Sequence, residues 1–325
     1  MTQSNTAGRN LAMEAVRVTE AAARAASEFM GRGDEKAADQ GAVSAMSRAL
    51  DGLAIDGSIR IGERPNDGGT KLVVGERAGT GQGPAVDVAL MPVEGPTIIA
   101  KGESNGLSVI AMAEDGGFLG VPDLYMDKIA VGGGLPPGLV DIDKEPIENL
   151  QALAAARDVR VGDLVVCILD RPRHRDVIAK VRQAGARIML ISDGDVSGVI
   201  ATIWAGSGID MFLGTGGAPQ GVLSAAALCC AGGQMQGRLV IRNEDDARVA
   251  REAGFEDRNR KFDISDMAYG GITFAATGVT TGALLNGVHK INGIAVTHSL
   301  VLRSTTGTLR FVESHHRFGR LLSAE

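Results

Sequence analysis

The chain has 325 residues, 44% hydrophobic and 22% charged, enough for one large domain or two ordinary ones around a sizeable core. Its formal charge of −6 argues against nucleic acid as the default partner. The N-terminus shows no apolar leader, no apolar run reaches membrane-span length, and Cys167, Cys229 and Cys230 form no spaced metal motif, so a cytoplasmic protein with free, buried thiols is expected.

Residues 1–8 are expected to be frayed, and Asn10 reads as a helix N-cap. Leu11, Ala15, Val18, Ala22, Ala25 and Phe29 then follow at helical spacing, and Gly31 and Gly33 stop the helix. A second helix is expected from Asp39 to Leu53. Short strands are expected at Ser58–Ile61, Lys71–Gly75, Val86–Leu90, Thr97–Ala100, Leu107–Ala113 and Gly117–Val121, giving helices on a largely antiparallel sheet. The second half alternates strands (Leu164–Leu169, Ile188–Ile191, Met211–Gly214) with helices (Val177–Ala184, Val196–Trp204, Gly221–Ala231), the rhythm of a parallel sheet. The fold class is α/β, with an α+β half at 9–150, an α/β half at 151–325 and a boundary near Asp141–Asn149. Trp204 reads as core.

Chemistry-bearing residues gather just beyond the ends of these elements, where α/β proteins place their sites. They are Gly31–Asp34 with Asp39; Ile61-Gly62-Glu63 with Asp67; Pro92-Val93-Glu94-Gly95; Asp170-Arg171-Pro172-Arg173-His174; and Asp193-Gly194-Asp195. The glycine-rich turn at 214–220 offers backbone N–H groups to an anion. Carboxylates suit Mg²⁺ or Mn²⁺, paired arginines suit phosphate, and aspartates accept hydrogen bonds from sugar hydroxyls. Together they describe a sugar-phosphate site with a hard divalent cation. His174 reads as structural, and His315 and His316 point to opposite faces of a strand.

In their order along the chain, Asn10–Glu20, Gly31–Asp34, Pro122–Lys128, Ile168–His174, Asp193–Val196, Gly216–Pro219 and Ala276–Thr280 resemble the blocks of class II fructose-1,6-bisphosphatases, lithium-sensitive metal-dependent sugar phosphatases. The resemblance runs from Arg9 to Arg317. It implies a layered αβαβα fold, a divalent-metal cluster, hydrolysis of the 1-phosphate of fructose 1,6-bisphosphate, and a homodimer or homotetramer, or an assembly with an active paralogue. It implies metal ligands at Asp39, Glu63 and Glu94, catalytic roles for Glu63, Asp67 and Glu94, and sugar-bisphosphate contacts at Gly95, Tyr125, Arg171, Arg173, Asp193, Asp195, Gly216 and Gly217.

Four positions depart from the family pattern. The Asp of its Asp-Pro-x-Glu-Gly-Thr motif is Met91, the Thr is Pro96, and the Glu of Gly-Gly-x-Pro-Glu-Gly is Gln220. The second Glu of Gly-Glu-Gly-Glu is also missing, since Arg64 and Pro65 follow Glu63. A thioether is a poor Mg²⁺ ligand, an amide supplies no charge, and proline has neither hydroxyl nor N–H. The expectation is a protein that binds a sugar bisphosphate while its hydrolysis is weak or lost. The alternatives are an active phosphatase acting on fructose 1,6-bisphosphate, sedoheptulose 1,7-bisphosphate or an inositol phosphate, and a purely structural partner.

Overall fold

The structure, a computed structural model, describes residues 11–64 and 71–317. Helix α1 (Ala12–Ser27) and helix α2 (Glu35–Asp51) lead the chain, the second capped by Asp34, whose side chain accepts from Ala37 N–H at 2.9 Å. Then come β1 (Asp56–Ile61), β2 (Arg77–Ala78), β3 (Ala85–Glu94), the short helix α3 (Pro96–Lys101), β4 (Leu107–Glu114) and β5 (Tyr125–Val131). After α4 (Pro146–Arg157) the chain alternates β6 (Val165–Leu169), α5 (Arg175–Gln183), β7 (Arg187–Ile191), α6 (Asp195–Ala201), β8 (Met211–Gly217), α7 (Ala218–Ala231), β9 (Gln234–Val240) and α8 (Glu244–Glu252). It ends with β10 (Phe262–Asp263), α9 (Ile264–Met267), β11 (Thr273–Gly278), β12 (His289–Ile291), β13 (Ile294–Arg303) and β14 (Thr308–Arg317).

Two sheets result. The first runs β12-β13-β11-β4-β3-β1-β2 with β14 also paired to β13, so the first and last strands of the described chain both lie in it. The second runs β10-β9-β5-β8-β6-β7. Within it only β6 pairs in parallel, with β7 and β8; β5 arrives from before the alternating unit and pairs antiparallel with β8 and β9. The expected parallel sheet is therefore a mixed one.

Side-chain alternation along the strands sets the layers. On β4, Ile110 and Met112 face a core with α1 and α2, whereas Val109, Ala111 and Ala113 face a second core shared with α6 and α7. The second sheet repeats this: Cys167, Leu169 and Phe212 join the same central core, while Val166, Ile168 and Met211 pack on α4 and α5. Helices, sheet, helices, sheet, helices is the αβαβα order expected.

Several sequence expectations change. Thr97–Ala100 lies in α3, not a strand: Pro96 occupies the first helical turn and Gly102, at φ 72°, ends it. Lys71–Gly75 and Gly117–Val121 form only isolated bridges, Glu63 with Val73 and Phe118 with Ala268. Trp204 lies beyond the end of α6, 46% exposed and edge-on to Phe311 with ring centroids 5.3 Å apart, so it is not core. Cys229 is only half-buried; Cys167 and Cys230 are buried and all three are free. Residues 1–8 and Asn10 lie outside the described residues. No helix among the described residues is long and apolar enough to cross a membrane.

Candidate functional site

Glu94 ends β3, and Gly95 turns the chain straight into α3 in the left-handed region, at φ 79°. The Glu94 carboxylate is 3% exposed and accepts from Val196 N–H at 2.7 Å and Ser197 N–H at 3.1 Å, in the first turn of α6. Burial, then the neighbouring Asp195 charge, push Glu94 well above the usual carboxylate range, against the lowering effect of the two N–H donors. A Cβ on Gly95 would lie 3.7 Å from Asp193 Cβ, so the turn after β3 packs on the Asp-Gly-Asp turn before α6.

That second turn carries two aspartates with different partners. Asp193 lies 3.8 Å from Arg171, and burial raises its pKa. Asp195 pairs with Lys128, a side chain with 0% exposure on β5, which also donates to Gly217 O at 2.9 Å. Gly216 has no room for a side chain, because a Cβ would strike Asp195 Oδ2 and Lys128 Nζ; at Gly217 it would strike the Gln220 amide. A buried ion pair thus seats the glycine turn against α6, and losing one partner would leave an uncompensated buried charge.

Arg173 donates to Thr215 O from Nε at 3.1 Å and Nη2 at 2.8 Å, and its guanidinium lies 4.9 Å from the Tyr125 ring centroid. Tyr125 is paired across the sheet with Gly217. Glu94, Gly95, Tyr125, Arg171, Arg173, Asp193, Asp195, Gly216 and Gly217 therefore form one connected set at the ends of β3, β5, β6 and β8. The set joins two guanidinium groups suited to phosphate with carboxylates suited to sugar hydroxyls.

Asp39 lies on α2, which packs against α3 and β3, and Glu63 follows β1, the parallel neighbour of β3. Glu63 N–H donates to Leu72 O at 2.8 Å. Asp67 lies outside the described residues. Met91 and Gln220 meet: Gln220 Nε2 lies 3.9 Å from Met91 Sδ, and the buried Gln220 Oε1 has no hydrogen-bond partner. Among the described residues, no three His, Cys, Asp or Glu side chains come together to hold a metal ion. Each Glu94 oxygen accepts one backbone N–H, and neither Met91 nor Gln220 carries a charge to offer a hard divalent cation.

Two contributors, Lys128 and Arg242, escaped the sequence reading. Lys128 was legible, because it shares a strand face with the core residues Met126 and Ala130, and a lysine there requires a buried partner. His174 was read as structural without its partners: it is 2% exposed, its Nε2 accepts from Thr215 N–H at 2.8 Å, and its Nδ1 lies 2.7 Å from Leu169 O. Arg242, 4.7 Å from the Tyr125 centroid, depends on the pairing of Tyr125 with Val240, which no local pattern reveals.

A layered α/β protein with a cluster of arginines, aspartates and a buried glutamate between its two sheets is the class that these features define. The model of bacterial, glpX-encoded fructose-1,6-bisphosphatases matches residues 9–316, and the chain belongs to that family. It is 40% identical over 334 residues to the D-fructose 1,6-bisphosphatase class 2/sedoheptulose 1,7-bisphosphatase of Synechococcus sp. (strain JA-3-3Ab), covering 94% of this chain and 95% of that protein. It is 41% identical over 326 residues to fructose-1,6-bisphosphatase 1 class 2 of Escherichia coli (strain K12), covering 96% of each. The family is one of metal-dependent phosphatases, so a sugar bisphosphate and a divalent cation are the expected partners.

Proposed function

We propose that this protein binds fructose 1,6-bisphosphate through Arg171, Arg173, Tyr125 and the Asp193–Asp195 turn, and that its hydrolysis of the 1-phosphate is weak or lost. Arg171 and Arg173 pair with phosphate oxygens, Asp193 and Asp195 accept from sugar hydroxyls, and Glu94 closes the floor. The observation that carries the second half is the contact of Met91 with Gln220, two uncharged side chains where the family resemblance calls for carboxylate ligands. A divalent cation, Mg²⁺ or Mn²⁺, would supply charge stabilisation of the attacking and leaving oxygens when bound. Asp39, Glu63 and Glu94 are the carboxylates that the resemblance offers it, with Glu63, Asp67 and Glu94 in the catalytic roles. Charge stabilisation is typically the largest catalytic contribution, so removing ligands costs orders of magnitude in rate.

A second reading, an active fructose-1,6- or sedoheptulose-1,7-bisphosphatase, is favoured by the near-complete coverage of relatives so named. Phosphate release from fructose 1,6-bisphosphate with Mg²⁺ or Mn²⁺ separates the two, with thermal stabilisation by the sugar followed in parallel. Stabilisation without release is expected. Turnover at about 1 s⁻¹ or faster sinks the first reading. Restoring Met91→Asp, Pro96→Thr and Gln220→Glu together is expected to raise activity.

A further inference from the structure

The block Ala276–Thr280 and the loop that follows it, 279–287, have no part in the cluster described above, yet they reach it through one residue. Asn105 lies in the short loop between α3 and β4, with its backbone in the left-handed region at φ 77°. A residue with a side chain holds that conformation at a cost, least for asparagine, and keeps it where its surroundings fix it from several directions. Here three directions do so. Asn105 N–H donates to Thr281 O at 3.3 Å, and Asn105 Oδ1 accepts from Ala283 N–H at 3.2 Å, so one residue clasps the loop by backbone and side chain. Gly282 leaves the room for this, since a Cβ there would lie 2.4 Å from Asn105 Oδ1. The next residue repeats the tie, with Gly106 N–H donating to Thr280 Oγ1 at 2.8 Å and Gly106 O accepting from Val279 N–H at 2.8 Å.

The other side of Asn105 meets the aspartate turn. A Cβ on Gly194 would stand 3.3 Å from Asn105 O and 3.7 Å from Glu94 Oε2, so this peptide packs directly on the turn between Asp193 and Asp195. Glu103, two residues earlier, accepts from Ser192 Oγ at 2.7 Å and holds the same turn at its entry. We infer that Asn105 is a positioning residue: from its left-handed backbone it fastens the 279–287 loop behind the Asp193–Asp195 turn and so sets where these carboxylates stand for the sugar hydroxyls. It acts through the turn, without touching the sugar. The inference rests on the bisphosphate-binding reading above and adds to it the residue that fixes the hydroxyl-accepting side of that site.

The test compares two ligands on wild type, Asn105→Gly and Asn105→Asp by calorimetry: fructose 1,6-bisphosphate, and hexane-1,6-diol bisphosphate, which has both phosphates and no hydroxyl. Glycine accepts the left-handed backbone and removes only the side-chain acceptor; aspartate keeps an acceptor of the same length. Asn105→Gly is expected to weaken fructose 1,6-bisphosphate about tenfold and to leave the diol bisphosphate as in wild type. Asn105→Asp is expected to recover most of the sugar affinity. Equal weakening of both ligands marks a general loosening of the fold and overturns the inference. Unchanged sugar affinity in Asn105→Gly, or a loss that Asn105→Asp does not restore, overturns it as well. Wild type that binds no fructose 1,6-bisphosphate removes the underlying reading itself, a different result from wild type and Asn105→Gly binding it equally well.

Discussion

His174 shows how one buried side chain ties the arginine loop to the glycine turn. A backbone N–H from Thr215 meets Nε2 at 2.8 Å, so Nε2 must be the acceptor, and the proton sits on Nδ1, facing Leu169 O at 2.7 Å. The neutral ring therefore satisfies one donor and one acceptor, next to the Arg173 side chain that holds Thr215 O. Burial, its largest influence, lowers the pKa of His174. Between that lowered value and the unfolded one of about 6.5, the unfolded chain binds more protons, so stability rises with pH there. The His174 contribution is fully present above about pH 6.5 and is lost as pH falls through the folded value. Urea unfolding at a series of pH values from 8 to 5 is expected to show wild type losing stability below about pH 6.5 more steeply than His174→Gln. Parallel slopes would remove His174 from the account. His174→Ala, which orphans both backbone groups, is expected to cost about 1–3 kcal/mol at neutral pH.

Among the elements, α6 decides where Glu94 ends up, because its first turn supplies both N–H groups to that carboxylate. The helix reaches the sheet through Gly198, where an added Cβ would meet Phe212 at 2.9 Å and Cys167 at 3.0 Å. Alanine normally favours a helix interior over glycine by roughly 0.5–1 kcal/mol. Overpacking against two fully buried side chains costs about 1–3 kcal/mol and is the larger effect. Gly198→Ala is therefore expected to be net destabilising in chemical denaturation, and a gain in stability would show that α6 has room to spare. The elements of this second half were legible because continuous apolar strands such as Val165–Leu169 are separated by polar, amphipathic helices such as α5. Thr97–Ala100 was misread because Thr-Ile-Ile has strand propensity, and the tight bend at Gly95 with Pro96 overrode it. The site followed the same division: its loops showed in glycine, acid and arginine runs, whereas Arg242 and the Met91–Gln220 contact depend on pairings between distant segments.

On the scale of the whole molecule, the central core belongs to both sheets. Ala89, Val109, Phe274 and Leu300 come from the first, Met126, Cys167, Phe212 and Leu239 from the second, and α7 fills the space between with Val222, Leu223 and Ala226. The first sheet needs β11, β13 and β14 from the end of the described chain, so the N-terminal strands alone cannot complete it. Such sharing makes the two sheets one cooperative unit. Trp204, the single tryptophan, leaves α6 and lies edge-on to Phe311 of β14, so its fluorescence reports the junction between the sheets. Fluorescence and far-UV circular dichroism are expected to give coincident urea transitions, and Leu223→Ala in α7 is expected to lower both together by about 2–5 kcal/mol. A tryptophan transition that precedes the loss of secondary structure would mean that the sheets part before either melts. The site between them would then be the weakest seam of the fold, and a bound sugar bisphosphate would raise the first transition alone; in a single unit it raises the whole transition.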